Sequence, residues 1–303
     1  MSSPNHVYIL GAGRSGTTLL SVLLGAHPRL RACGELLHFP LYWLRNLRCS
    51  CGKNLRECEC WREAGLVIGG TDDERVRSRK RMLEAAESHA RAPGYLLGLS
   101  HASPEYLATQ EQIFAALSGE QTSPGGTGDG TGAAEVGIVD ESKYVARAIS
   151  LSRLPHGRFR FVYLVRDCRG VLHSFGKNVQ EPRSMLSAAL YYFCVNAAAQ
   201  LAIWTELRGS AIKVRYEDLI RQPETELARI GNFIGMDMSS VIARVRARDP
   251  IDVGHLVSGN RLRSQGGLTI RAIEEWRNAY GWPRRLLAYL LCLPLQLLNR
   301  YRL

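Results

Sequence analysis

At 303 residues, 46% of them hydrophobic, the chain can bury a substantial core, and its length fits one large α/β domain or two small ones, of which the single domain is favoured. Its formal charge of +11 and isoelectric point near 9.5 favour anionic ligands, yet Lys and Arg are spread along the chain without an aromatic-rich RNA motif, a basic tail or zinc-finger spacing. That pattern argues against nucleic acid and suits a phosphorylated small molecule.

The opening MSSPNHVYIL enters an apolar run with no basic leader, separate apolar core or small-residue cleavage site, which predicts a cytoplasmic chain. Val7 to Leu10 reads as a buried strand, Gly11 to Gly16 as a tight loop and Thr17 to Ala26 as a helix, together a β-loop-α unit. A charged helix is predicted over Asp72 to Ala92 and another over Tyr106 to Leu117. The stretch Ser118 to Glu135, rich in Gly, Ser, Thr and Pro, predicts a flexible loop.

Strands follow at Gly137 to Asp140, Arg160 to Val165 and Ala211 to Arg215, with helices at Tyr144 to Leu154, Ser187 to Glu206 and Pro223 to Ile234. This alternation predicts a mostly parallel, P-loop-like sheet with helices on both faces, as one domain over residues 1–303. The late apolar stretch Leu286 to Leu298 is broken by Pro294 and is shorter than the roughly 20 residues a bilayer requires. Flanked by Arg284, Arg285, Arg300 and Arg302, the region 284–303 suits either peripheral contact with an anionic membrane or docking on the chain's own core. Oligomeric state leaves no readable pattern.

GAGRSGTT places free backbone amides and a helix dipole between a strand and a helix, where an anion is attracted. Gly11, Gly13 and Gly16 also satisfy a dinucleotide fingerprint, with Glu35 at a plausible distance for a ribose carboxylate. A nucleoside-triphosphate loop needs Lys where Thr17 stands, before the hydroxyl of Thr18. The loop instead offers Arg14 as a fixed cation and Ser15, Thr17 and Thr18 as hydroxyl donors, which suits a terminal phosphate or phosphosulfate.

A later strand, RFVYLV, runs into Arg166-Asp167-Cys168-Arg169-Gly170 and then Val171-Leu172-His173-Ser174. RSGTTLL after the first strand, with VRD-x-R-G-x-x-x-S after a later one, resembles the sulfotransferase superfamily that uses 3′-phosphoadenosine-5′-phosphosulfate (PAPS). The resemblance extends to VRYEDLIRQPETELARIGNFIG at 214–235 and to GNRLR at 259–263. It implies that Gly13, Arg14, Ser15, Gly16, Thr17 and Thr18 hold the 5′-phosphosulfate, that Arg166 and Ser174 hold the 3′-phosphate, and that Arg263 assists. An Arg at a strand's carboxyl end and a Ser in the following turn can reach one anion from two sides.

The reaction so implied moves a sulfuryl group to a hydroxyl of a sugar, lipid, phenol or tyrosine. Arg14 and Lys143, in a D-x-S-K segment, are candidates to stabilise the leaving phosphate. Glu35, in AHPRLRACGEL, resembles the AHP…GE pattern of tyrosylprotein and bacterial sulfotransferases, whose carboxylate takes the acceptor proton; desolvation would lift its pKa toward neutrality. His38, His101, His173 and His255 fall outside the motif of the histidine-based branch. A kinase or other phosphotransferase, or a non-catalytic phosphate- or RNA-binding module, is the rival reading.

The cysteine-rich insertion at 49–61 spaces Cys49, Cys51, Cys58 and Cys60 as C-x-C-x6-C-x-C before Trp61. Four thiolates can complete a tetrahedral zinc site, although structural sites usually separate paired ligands by two to four residues. Redox-sensitive or merely packed thiols are the other readings.

Overall fold

The computed structural model describes residues 5–119, 135–154, 159–177, 182–259, 268, 270 and 275–303. Most of the expected loop at 118–135, namely 120–134, lies outside the described residues.

Five parallel strands, β1 (His6–Leu10), β2 (Leu30–Gly34), β3 (Gly137–Lys143), β4 (Phe159–Val165) and β5 (Ala211–Arg215), form one sheet in the order β2-β3-β1-β4-β5. The apolar runs split by strand periodicity. Tyr8 and Leu10 of β1, with Phe161, Tyr163 and Val165 of β4, enter one core, whereas Val7 and Ile9, with Val162 and Leu164, enter the other. A strand apolar on both faces is stable only when both are covered, and both are.

After β1, α1 (Thr17–Gly25) packs its Leu20, Leu23 and Leu24 in the Val7/Ile9 core. After β2, α2 (Phe39–Leu44), α3 (Glu59–Ile68), α4 (Asp73–Glu87), α5 (Ala92–Leu96) and α6 (Pro104–Ser118) build the layer over Tyr8, and α7 (Val145–Leu151) joins them after β3. Past β4 come α8 (Cys168–Phe175) and α9 (Met185–Trp204). Past β5, α10 (Tyr216–Arg221), α11 (Pro223–Ile234) and α12 (Ser239–Ala247) extend the layer begun by α1. The chain ends with α13 (Glu275–Ala279), α14 (Trp282–Leu291) and α15 (Leu293–Leu298).

Three departures from the sequence expectation have local causes. The helix expected over Asp72 to Ala92 stops at Glu87, where Ser88 turns extended at ψ 148°; a single 3-10 turn, His89–Arg91, follows, and Pro93 sits in the first turn of α5, where its missing N–H costs nothing. β3 continues to Lys143, with Tyr144 extended before α7. β2, unread in the sequence, is a short LRACG run at the sheet edge.

The apolar C-terminal stretch divides at Cys292 into α14 and α15, whose Ala288, Tyr289 and Leu295 are buried while Leu287, Leu290 and Leu297 stay exposed. One face therefore docks on the chain's own core, beside α8 and α9. Helix α9 has the length and composition to cross a bilayer, with mean hydropathy 1.4. In the fold its Ala188, Tyr192 and Ala199 are buried.

Candidate active site

Parallel strands deliver their carboxyl ends to one edge of the sheet, and the candidate residues gather there. β1 runs into the glycine loop, β2 into Glu35, β3 ends on Lys143 and β4 leads to Arg166. A cavity of about 370 Å³ is lined by Gly13, Arg14, Gly16, Thr17, Thr18, Leu19, Glu35, Lys143, Phe175, Arg183, Tyr191, Ser258 and Gly259. The two cations and the carboxylate picked from three separate sequence segments thus share one space.

The loop is tightly built. Gly16 has φ +93°, and a Cβ there would lie 2.5 Å from the Tyr216 ring, so no other residue fits without displacing that ring. Helix α1 starts at Thr17 with no side chain capping its first amides, which leaves its positive end to an anion. The Ser15 hydroxyl is buried without a hydrogen-bond partner, an orphan that a phosphate oxygen would satisfy. Arg14 and Lys143 both adopt left-handed backbone, at φ 70° and 73°. For residues with a Cβ this costs about 1 to 2 kcal/mol each, and such strain gathers at functional sites.

The dinucleotide alternative does not survive the strand order. In that fold β2 lies beside β1, and its terminal carboxylate reaches the ribose. Here β3 stands between them.

Glu35 is held by an ion pair with Lys143 and by His38, whose Nε2 lies 3.3 Å from its carboxylate. Burial pushes the Glu35 carboxyl up, but the charge of Lys143 and the hydrogen bonds from His38 and Lys143 outweigh it and hold the pKa at about 2. The expected lift toward neutrality is therefore reversed, because the paired ammonium outweighs desolvation. His38, set aside at sequence level, touches the candidate base. His101 contacts Arg153 instead, and His173 packs edge-on against Tyr280.

The D-x-S-K segment is fixed from beneath. Arg147, fully buried, pairs with Asp140 at 2.8 Å and with Glu87, whose carboxylate also accepts from Tyr106 and Gln110. Asp140 accepts from the backbone and hydroxyl of Ser142, and the Ser142 hydroxyl accepts from the Leu37 amide at 3.0 Å. One network thus locks Lys143 at the end of β3 and the chain just after Glu35.

Glu141, between these residues, is fully buried, and neither carboxylate oxygen has a hydrogen bond of good geometry, although the Thr17 and Thr18 hydroxyls lie near. Burial pushes its pKa up to about 7, against the pull of Lys143 and with a push from Glu35. Its neighbour Gly259 lines the cavity.

Arg166 and Ser174 do not line this cavity. Arg166 donates from Nη1 to the Arg14 carbonyl at 3.0 Å and lies over the Tyr216 ring at 4.4 Å, so it braces the strained loop. Ser174 sits in α8 rather than in a turn. The neighbouring Arg169 is structural: it folds back on Asp167 at 2.7 Å and over Trp276 at 4.6 Å. Arg263 lies outside the described residues.

Sequence reading missed Arg183 and Tyr191, which carry no motif. Arg183 lies 4.6 Å over the Tyr191 ring, and the Tyr191 hydroxyl accepts from the Gly13 amide at 3.0 Å.

In the cysteine box, Cys49, Cys51 and Cys58 converge as expected, but the fourth member is His255. Cys60 is outside this cluster and faces Arg31. Cys60 lies in the first turn of α3, past Cys58 at the helix N-cap.

Residues 4–240 match the model of the Sulfotransferase family. Two nematode proteins, each named "Putative protein-tyrosine sulfotransferase", are similar: one of Caenorhabditis briggsae at 23% identity over 249 residues, 77% of this chain, and one of Caenorhabditis elegans at 27% over 121 residues, 35% of this chain. The aligned parts span 66% and 43% of those relatives' own lengths. The sulfotransferase domain of the Synechococcus PCC 7002 olefin synthase superposes with a TM-score of 0.51 at 19% identity, covering all of this chain and 97% of that one. Sulfotransferase STF9 of Mycobacterium avium gives 0.51 at 13% identity, covering all of this chain and 79% of that one. These two likenesses concern the fold, and the match over residues 4–240 carries the conclusion: the chain belongs to the sulfotransferase family.

Proposed function

We propose that the protein transfers a sulfuryl group from PAPS to an acceptor hydroxyl, releasing 3′-phosphoadenosine-5′-phosphate. The observation that carries this is the meeting of Arg14, Lys143 and Glu35 around one cavity at the mouth of an amide-rich loop. The uncapped start of α1 and the orphaned Ser15 hydroxyl fit a phosphosulfate. Thr17 takes the place of the Lys that a triphosphate loop uses, which disfavours a kinase.

In the step proposed, the acceptor oxygen attacks sulfur in line as the bond from sulfur to the bridging phosphate oxygen breaks. The acceptor proton passes to a Glu35 oxygen, and the charge growing on the leaving phosphate is met by Arg14, Lys143 and the loop amides. With its pKa near 2, Glu35 is always ionised at neutral pH but is a weak base. Drawing Lys143 toward the donor loosens the pair and raises the proton affinity of Glu35 as the hydroxyl becomes acidic. The acceptor class, whether tyrosine, sugar, lipid alcohol or phenol, is left to experiment.

Thermal stabilisation by 3′-phosphoadenosine-5′-phosphate is expected to exceed that by ATP or NAD at equal concentration. Equal or greater stabilisation by ATP or NAD would contradict the assignment of the donor.

A further inference from the structure

We propose that Cys49, Cys51, Cys58 and His255 bind one zinc ion that ties the cysteine-rich segment to the chain segment lining the donor cavity. The ligand atoms of all four lie within 4.8 Å of one another. Cys51 and Cys58 Sγ are 3.7 Å apart, and His255 Nδ1 lies 3.7 Å from Cys49 Sγ and 3.2 Å from Cys58 Sγ. Around a tetrahedral zinc with bonds of about 2.3 Å to sulfur and about 2.0 Å to nitrogen, the corresponding edges are about 3.8 and 3.5 Å. Three of the six edges are thus already near those lengths, and the remaining ones are within 4.8 Å.

The short Cys49-x-Cys51 spacing is made workable by a turn, in which the Cys49 amide donates to the Lys53 carbonyl and the Gly52 amide to the Cys49 carbonyl. Cys49 and Cys58 are buried, while Cys51 is exposed beside a cleft of about 450 Å³ that also touches Cys58 and His255, an entry path for an ion. A supporting contact exists as well, for Trp61 Nε1 donates to Cys49 Sγ at 3.4 Å. Ser50 aligns the two segments independently: its hydroxyl donates to the Gly254 carbonyl at 2.6 Å and accepts from the Leu256 amide at 2.7 Å.

The site joins residues 206 apart, and what lies next to His255 explains its value. Val257 bonds the backbone of Cys33 and Glu35 at 3.0 and 2.9 Å, and Ser258 and Gly259 line the cavity. At Gly34, with φ +74°, a Cβ would meet the Val257 carbonyl at 2.3 Å, so the segment passes hard against the chain that presents Glu35. Zinc at His255 therefore holds that segment in place without touching the donor.

The test is metal analysis of the full chain purified under reductant without chelator, followed by replacement with cobalt(II). About one zinc per chain and the intense visible bands of tetrahedral thiolate-bound cobalt are expected. His255→Ala and Cys58→Ser should weaken cobalt binding at least about 100-fold, whereas Cys60→Ser should leave it unchanged. Wild-type protein lacking both zinc and the cobalt bands would overturn the proposal, as would recovery of a Cys51 to Cys58 disulfide under reductant. So would loss of metal in Cys60→Ser equal to that in His255→Ala. None of these readouts depends on sulfuryl transfer, so the site stands or falls apart from the catalytic reading.

Discussion

Glu35 and Glu141 face the same ammonium, that of Lys143, yet their proton affinities move in opposite directions. Glu35 keeps a direct pair and sits near 2; stability from that pair is present above its ordinary 4.5 and is lost as pH falls through 2. Glu141 is buried without a good hydrogen bond and sits near 7, above its ordinary 4.5. The folded state therefore binds the Glu141 proton more tightly than the unfolded chain does, and this contribution is complete below about 4.5 and lost as pH rises through about 7. Denaturant unfolding across about pH 5 to 8 should show stability declining with pH in the wild type and a flatter profile in Glu141→Gln. An unchanged slope would show that Glu141 does not carry it. At the reacting centre, Arg14→Ala should lower kcat/KM by about 100-fold or more. Glu35→Gln should lower kcat with little change in donor KM, and retained turnover would remove it as the base.

Among the elements, β3 bears the most weight, because its Asp140 anchors Ser142 and precedes Lys143 while resting on buried Arg147. Arg147→Met would leave Asp140 and Glu87 buried without their cation, and a loss of about 3 to 5 kcal/mol is expected in equilibrium unfolding. A loss below about 1 kcal/mol would mean that the carboxylates find other partners. The first β-loop-α unit was legible in the sequence because its apolar run, glycines and hydroxyls are contiguous. β2 was not, since Arg31 and Gly34 leave a five-residue edge strand with little alternation. The local spacing points to Cys60 rather than His255 for a related reason: the residue that joins Cys49, Cys51 and Cys58 comes from a segment 206 residues from Cys49, where no local spacing marks it. The ion pair between Glu35, just past β2, and Lys143, at the end of β3, spans 108 residues, so the direction of the Glu35 shift is equally hidden in the sequence.

Across the whole molecule, a charge of +11 and a cavity that gathers Arg14, Lys143 and Arg183 around one carboxylate favour a polyanionic nucleotide. The KM for the donor should rise with ionic strength as these charges are screened, and a KM flat between low and high salt would argue that the field plays no part. The glycine loop alone left a dinucleotide possible; the strand order, with β3 between β1 and β2, and the match of residues 4–240 to one family removed it. The most direct measurement is incubation of the protein with sulfur-labelled PAPS and cell extract, followed by mass spectrometry of the products. A labelled sulfate ester that forms with the wild type and is lost with both Arg14→Ala and Glu35→Gln is predicted. Absence of any labelled ester, or its equal formation by both variants, would contradict the account.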